Sequence, residues 1–179
     1  MVTGKTVGAV LGGLGIVLSS ALVGGAASPR GFGSAPARGT AAPWAAHLAT
    51  VDAALATGDV PTAVAAWHAA YGAALGSRRW DGFADVGDAY LRIGRASGAP
   101  ASALPRARDL YLSALFRARD TGALDGVLRV AAAFDGLGDR EVVEQAVRMA
   151  HGLAGPHPTP AVRERIAALE RERLVVSIF

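Results

Sequence analysis

Glycines at three turn positions, Gly58, Gly94 and Gly138, recur at spacings of 36 and 44 residues, and each follows a stretch with one apolar helical face. A recurrence of that length is what stacked helical hairpins produce. One hairpin alone leaves a face uncovered, so its neighbours must cover it. The frame is clearest at Phe83, Val86 and Tyr90, which fall at i, i+3 and i+7 on one helical line. Gly87 lies on the adjacent line, and without a Cβ it lets a partner helix approach closely. Gly94 is expected to end this helix as the residue beyond its C-cap. Ala107, Tyr111 and Ala114 then carry the small–aromatic–small spacing that a second arm needs to answer the first.

The same frame recurs on both sides. The first hairpin is expected over Trp44–Thr57 and Val60–Leu75, with Leu48, Val51 and Leu55 as the inner stripe of its first helix. Gly58-Asp59 forms its turn, Asp59 being suited to cap the second helix and Pro61 tolerated in the first turn. Ala63, Trp67 and Ala70 repeat the spacing of Ala107, Tyr111 and Ala114. In the third hairpin Val127, Val130, Ala131 and Phe134 take the places of Phe83, Val86, Gly87 and Tyr90. Gly138-Asp139 repeats the turn, and Val143, Val147 and Ala150 complete the second arm. The second hairpin is longer than its neighbours. The spacing assigns its extra residues to a connection over Arg95–Leu104, which contains Gly98 and Pro100.

Gly155-Pro156-His157-Pro158 breaks the pattern, and Thr159 with Pro160 opens a last helix through Leu174. Its apolar line, Val162, Ile166 and Leu169, is backed by charged residues, as a helix covering the end of an array requires. With no period-2 runs before Leu174, the fold is expected to be all-α: a short α-solenoid of three helical hairpins and a C-terminal capping helix over residues 44–174. An apolar tail follows at 175–179.

Thr6 to Pro29 carries no charge, with Lys5 before it and Arg30 after it. A basic start, an apolar middle from Val7 to Val23 and a small-residue end at Gly25-Ala26-Ala27 make residues 1–27 a signal peptide or, uncleaved, a membrane anchor through residues 6–27. Gly4, Gly8 and Gly12 would suit packing between two such spans. Ser28 to Pro43 mixes Gly, Ser, Ala and Pro without periodicity and is expected to be a flexible linker. The folded part is therefore expected outside the cytoplasm.

The basic residues are 17 Arg and one Lys against 15 acidic residues, a net charge of +3, too little to argue for nucleic acid. The absence of cysteine excludes disulfides and thiolate metal sites. His47, His68, His151 and His157 are scattered, Ser77, Ser97 and Ser102 lack a nucleophile's context, and the glycine clusters lack a P-loop lysine. No enzyme, metal or cofactor is expected. Arg78, Arg79, Arg92, Arg95, Arg106, Arg108, Arg117 and Arg119 concentrate in the second hairpin, an alternative binding face for anionic surfaces.

Phe83-Ala84-Asp85-Val86-Gly87-Asp88-Ala89-Tyr90 follows the tetratricopeptide first-helix signature W-x2-L-G-x2-Y. Over residues 44–153 the chain resembles a tetratricopeptide-repeat protein, with Ala131 in the glycine slot of the third unit. The resemblance implies a non-enzymatic adaptor that binds a protein or peptide in a groove lined by the first helix of each unit. By frame, Asp52, Asp81, Asp88, Arg92, Asp125 and Asp135 line that groove. The family's carboxylate-gripping groove uses Lys and Asn where this chain has Asp52 and Asp88, so the expectation is instead a negative strip for a basic segment.

Overall fold

A computed structural model describes the backbone of residues 41–176 and the side-chain surroundings of residues 41–171. The N-terminal segment 1–27, most of the linker and the end of the tail lie outside the described residues. Within them the protein is all-α. Seven helices run in order: α1 (Ala45–Ala56), α2 (Val60–Ser77), α3 (Trp80–Ala96), α4 (Pro100–Asp120), α5 (Leu124–Asp135), α6 (Arg140–Ala154) and α7 (Pro160–Val176). No described strand accompanies them.

Each helix packs on the next, so α1–α2, α3–α4 and α5–α6 form hairpins and α7 lies against α5 and α6. The pairing of α3 with α4 is antiparallel, because Gly94 faces Ala103, Gly87 faces Tyr111, and the Arg117 guanidinium lies 4.4 Å from the centre of the Phe83 ring. Odd-numbered helices also touch one another across hairpins, α1 with α3, α3 with α5 and α5 with α7.

The turns correct one reading. Gly94 does not end α3; it is buried inside the helix, and a Cβ there would come within 2.5 Å of the Ala103 Cβ. The left-handed turn residue is Gly98, at φ 72°, matching Gly58 at 74° and Gly138 at 76°. The three are spaced by 40 residues throughout. Arg95–Leu104 is thus no long loop. The extra residues split evenly around the turn and lengthen both arms by about one helical turn, with Pro100 opening α4 and Pro105 near its start. A helix can lose one backbone bond at Pro105 where the two arms gain a turn of packing.

The N-caps diverge although the turn sequence repeats. Asp59 caps α2 by accepting from the Thr62 N–H at 3.0 Å, and the Thr62 hydroxyl, with that bond, holds its carboxyl below the usual range. Asp139 makes no such cap and instead receives two bonds from Arg108, at 2.6 and 3.0 Å. A long guanidinium within reach outcompetes a backbone amide for the same carboxylate.

The core is one continuous layer between the hairpins, with Trp44, Trp67, Tyr111, Phe134 and Leu115 its largest enclosed side chains. Trp67 stacks on Tyr71, tilts against Tyr90, and donates its indole N–H to the Val86 carbonyl at 2.8 Å. Tyr90, expected at the core face, is only half-buried. Two tryptophans make seams that spacing had not revealed. Trp44, just before α1, covers Gly82 of α3, and Trp80, at the start of α3, covers Gly126 of α5. In both cases a ring at the head of one odd helix lies where a Cβ on the next would be.

Candidate binding surface

The odd helices share a face, and on it carboxylates meet guanidiniums from the following odd helix. Asp52 on α1 receives Arg92 of α3 at 2.9 Å. Asp85 and Asp88 on α3 share Arg129 of α5, at 2.7 and 2.9 Å. Asp125 on α5 receives Arg165 of α7. The partners are separated by 40, 44, 41 and 40 residues, so one cationic side chain per hairpin reaches back across the junction.

The central pair is the most completely built. Asp85 also accepts from the Trp44 indole N–H at 2.7 Å, and Asp88 from the Tyr111 hydroxyl at 2.6 Å. Arg129 therefore sits between two carboxylates, each held from behind by an aromatic donor. Burial, then the hydrogen bond to Asp88, pushes the Tyr111 hydroxyl well above the ordinary tyrosine range, so it stays a donor.

Of the residues placed on this face by frame, Asp52, Asp88, Arg92 and Asp125 belong to the pairs just described. Asp81 stands apart, bound to its neighbour Arg79 and to the Gly82 N–H at the start of α3. Asp135 lies at the end of α5, half-buried, with its carbonyl in the turn to Gly138. The face is not the bare negative strip expected from the carboxylates alone. The reason is reach: an arginine spans the gap between hairpins, and its frame position does not advertise its partner.

Two clefts open along this face. One, of about 570 Å³, lies between α5 and α7 under Trp80 and carries Asp125, Arg129 and Arg165. The other, of about 390 Å³, lies between α3 and α5 and carries Asp88, Arg92 and Arg95. Ala132 lines both. Each thus combines two guanidiniums with one carboxylate.

Most of the remaining arginines of the second hairpin are engaged with the protein itself. Arg108 and Arg119 are ion-paired, Arg79 pairs with Asp81 over the Trp44 ring, and Arg106 and Arg117 lie on aromatic faces. His151 bonds Glu170 at 3.0 Å, tying α6 to α7. Among the described residues no group of three His, Asp or Glu side chains is placed to hold a metal ion, and no helix is long and apolar enough to cross a membrane. Compared with known proteins, the chain matches no family model, no curated protein and no solved structure.

Proposed function

We propose that this protein is a non-enzymatic adaptor of tetratricopeptide-like helical hairpins, exported or held at a membrane by residues 6–27, which binds an extended segment of another protein along the face of α1, α3, α5 and α7. The observation that carries the reading is a pair of clefts at two successive hairpin junctions, α3–α5 and α5–α7, with Ala132 lining both. Two guanidiniums to one carboxylate in each cleft favours a segment bearing acidic groups over the basic segment expected from the carboxylates alone. Binding through a free cationic patch on the second hairpin is the weaker reading, since most of its guanidiniums are already paired or stacked.

A photo-crosslinking residue at the exposed Ala132 position, compared with one at the exposed Ala69 of α2, tests this in cells producing the full chain. A discrete crosslinked partner at Ala132 and none at Ala69 is the expected result. Crosslinks at Ala69 alone would remove the odd-helix face from the argument.

A further inference from the structure

We propose that a third cleft, on the opposite side of α3 from the ion-paired face, binds a peptide segment presenting a bulky apolar side chain next to a carboxylate. The two sites use different sides of one helix. Asp88, Leu91, Arg92 and Arg95 line the α3–α5 cleft, whereas Tyr90, Ile93, Gly94 and Ser97 line this one. Two residues' offset turns a helix by about 200°. The ligands of the two clefts therefore do not compete for space.

The cleft is a product of the extra turns. In the first and third hairpins the turn glycine follows four residues after the frame positions Ala54 and Phe134; in the second it follows eight after Tyr90. The added turns of α3 and α4 carry Ile93, Gly94, Ser97, Ser102 and Ala103 past the end of the first hairpin, and the space beneath them, against α2, is about 510 Å³. That is the size of a site for a bulky side chain and its neighbours. In a repeating architecture, residues inserted into one unit commonly mark a binding face.

Its chemistry is unbalanced. Val64, Trp67, Tyr90 and Ile93 give an apolar and aromatic wall, and Arg106 is the one Arg, Lys, Asp or Glu that lines it. The Arg106 guanidinium lies over two rings, 4.8 Å from the centre of Tyr71 and 5.8 Å from that of Trp67. Ring faces hold its position but satisfy none of its N–H edges. Arg92, Arg108, Arg129 and Arg165 all meet carboxylates within the protein; Arg106 meets none among the described residues. A half-buried cation with open donors beside an apolar wall is completed by a carboxylate attached to an apolar group.

The test uses the full-length protein and a capped, fluorescent heptapeptide with Phe-Asp-Phe at its centre, beside matched peptides with Asn or Lys in place of Asp. The Asp peptide is expected to bind at least about tenfold more tightly than the Asn peptide, the effect of one charge-assisted bond. Arg106→Met keeps the stem on the rings and should abolish that preference. Ser102→Trp, at an exposed position on the rim, should block all three peptides, and it decides the matter if Arg106→Met fails to fold. Ala161→Trp, at an exposed position of α7 that lines none of these clefts, should change nothing. Equal affinities for the Asp and Asn peptides, tighter binding of the Lys peptide, loss of binding in Ala161→Trp, or no binding of any peptide at millimolar concentration would each overturn the proposal.

Discussion

The two sides of α3 are joined to their neighbours in different ways. Toward α2 and α4 the helix meets enclosed rings: Trp67 bonds the Val86 carbonyl, Tyr111 fills the space left by Gly87, and Ala103 fills that left by Gly94. Toward α1 and α5 its ring contacts are confined to the helix heads, Trp44 on Gly82 and Trp80 on Gly126, and along its length it meets half-exposed ion pairs, with Arg129 about 40% accessible and Asp88 41%. Burying an aromatic side chain is worth several times an exposed ion pair. The ring side therefore holds the hairpins together, and the ion-paired side fixes how each one registers on the next. The contacts of the second side can be exchanged at little cost to the fold.

The largest expected effect comes from the ring side. Trp67→Ala deletes an enclosed indole, its stack with Tyr71 and its bond to Val86, and should cost about 3–5 kcal/mol. Urea unfolding followed by circular dichroism measures it. A loss below about 1 kcal/mol would show that the rings do not dominate, and the contrast between the two sides would collapse.

The glycine seams give a sharper test because the sign should change with position. A Cβ on Gly126 would stand 2.7 Å from the Trp80 ring and 2.8 Å from the Ala118 Cβ, so Gly126→Ala should destabilise by about 1–3 kcal/mol. Gly72 in α2 has nothing within 4 Å, and Gly72→Ala should stabilise by about 0.5–1 kcal/mol through the unfolded chain. Two melting curves of the same sign would contradict the packing described.

Tyr111 belongs to both sides, its ring in the core and its hydroxyl on Asp88. Tyr111→Phe keeps the ring and should cost about 1–2 kcal/mol at neutral pH. Its folded pKa lies above the unfolded value of about 10, so the hydroxyl's contribution is complete below that pH and is lost as pH rises through the folded value. The gap between wild type and Tyr111→Phe should thus be flat from pH 6 to 9 and narrow at higher pH. A gap that widened there would reverse the assignment of the donor.

The contrast explains what could be read in the sequence. Apolar spacing revealed the hairpins, and the Gly58-Asp59 turn the cap on α2, because those depend on residues within one helix or one turn; Gly87 was legible as a point of close approach from its missing Cβ alone. Gly94 and Gly98 were harder to separate. They lie one helical turn apart, and Arg95-Ala96-Ser97-Gly98-Ala99-Pro100 has the composition of a loop. Only the joint lengthening of α3 and α4, each supplying the other's packing, makes helix of it. The frame also put Asp52, Asp88, Arg92 and Asp125 on first helices, but not Arg129 or Arg165, nor which arginine meets which carboxylate, because a side chain reaching across a hairpin junction obeys no local period. That Trp44 and Trp80 each cover a glycine on the next odd helix was not legible, since the two ends of that contact lie in different units.

The smallest effect, and the one most informative for function, lies in the ion pairs. Each is half-exposed, so screening by water leaves about 0.2–1 kcal/mol to it at most. Arg92→Gln and Arg165→Gln each break one pair. Arg129→Gln breaks two at once and leaves Asp85 and Asp88 facing each other across its place, so it should cost the most of the three, still near 1 kcal/mol. Because exposed charges are screened within about a Debye length, these differences should shrink between 20 mM and 500 mM salt. The loss in Trp67→Ala should not. If the arginine variants lost as much as Trp67→Ala, or lost it regardless of salt, the pairs would be part of the core scaffold and the odd-helix face would have no loose contacts to offer a partner. If they lose little and the crosslink at Ala132 weakens with them, the same guanidiniums that register one hairpin on the next are those the partner's carboxylates borrow.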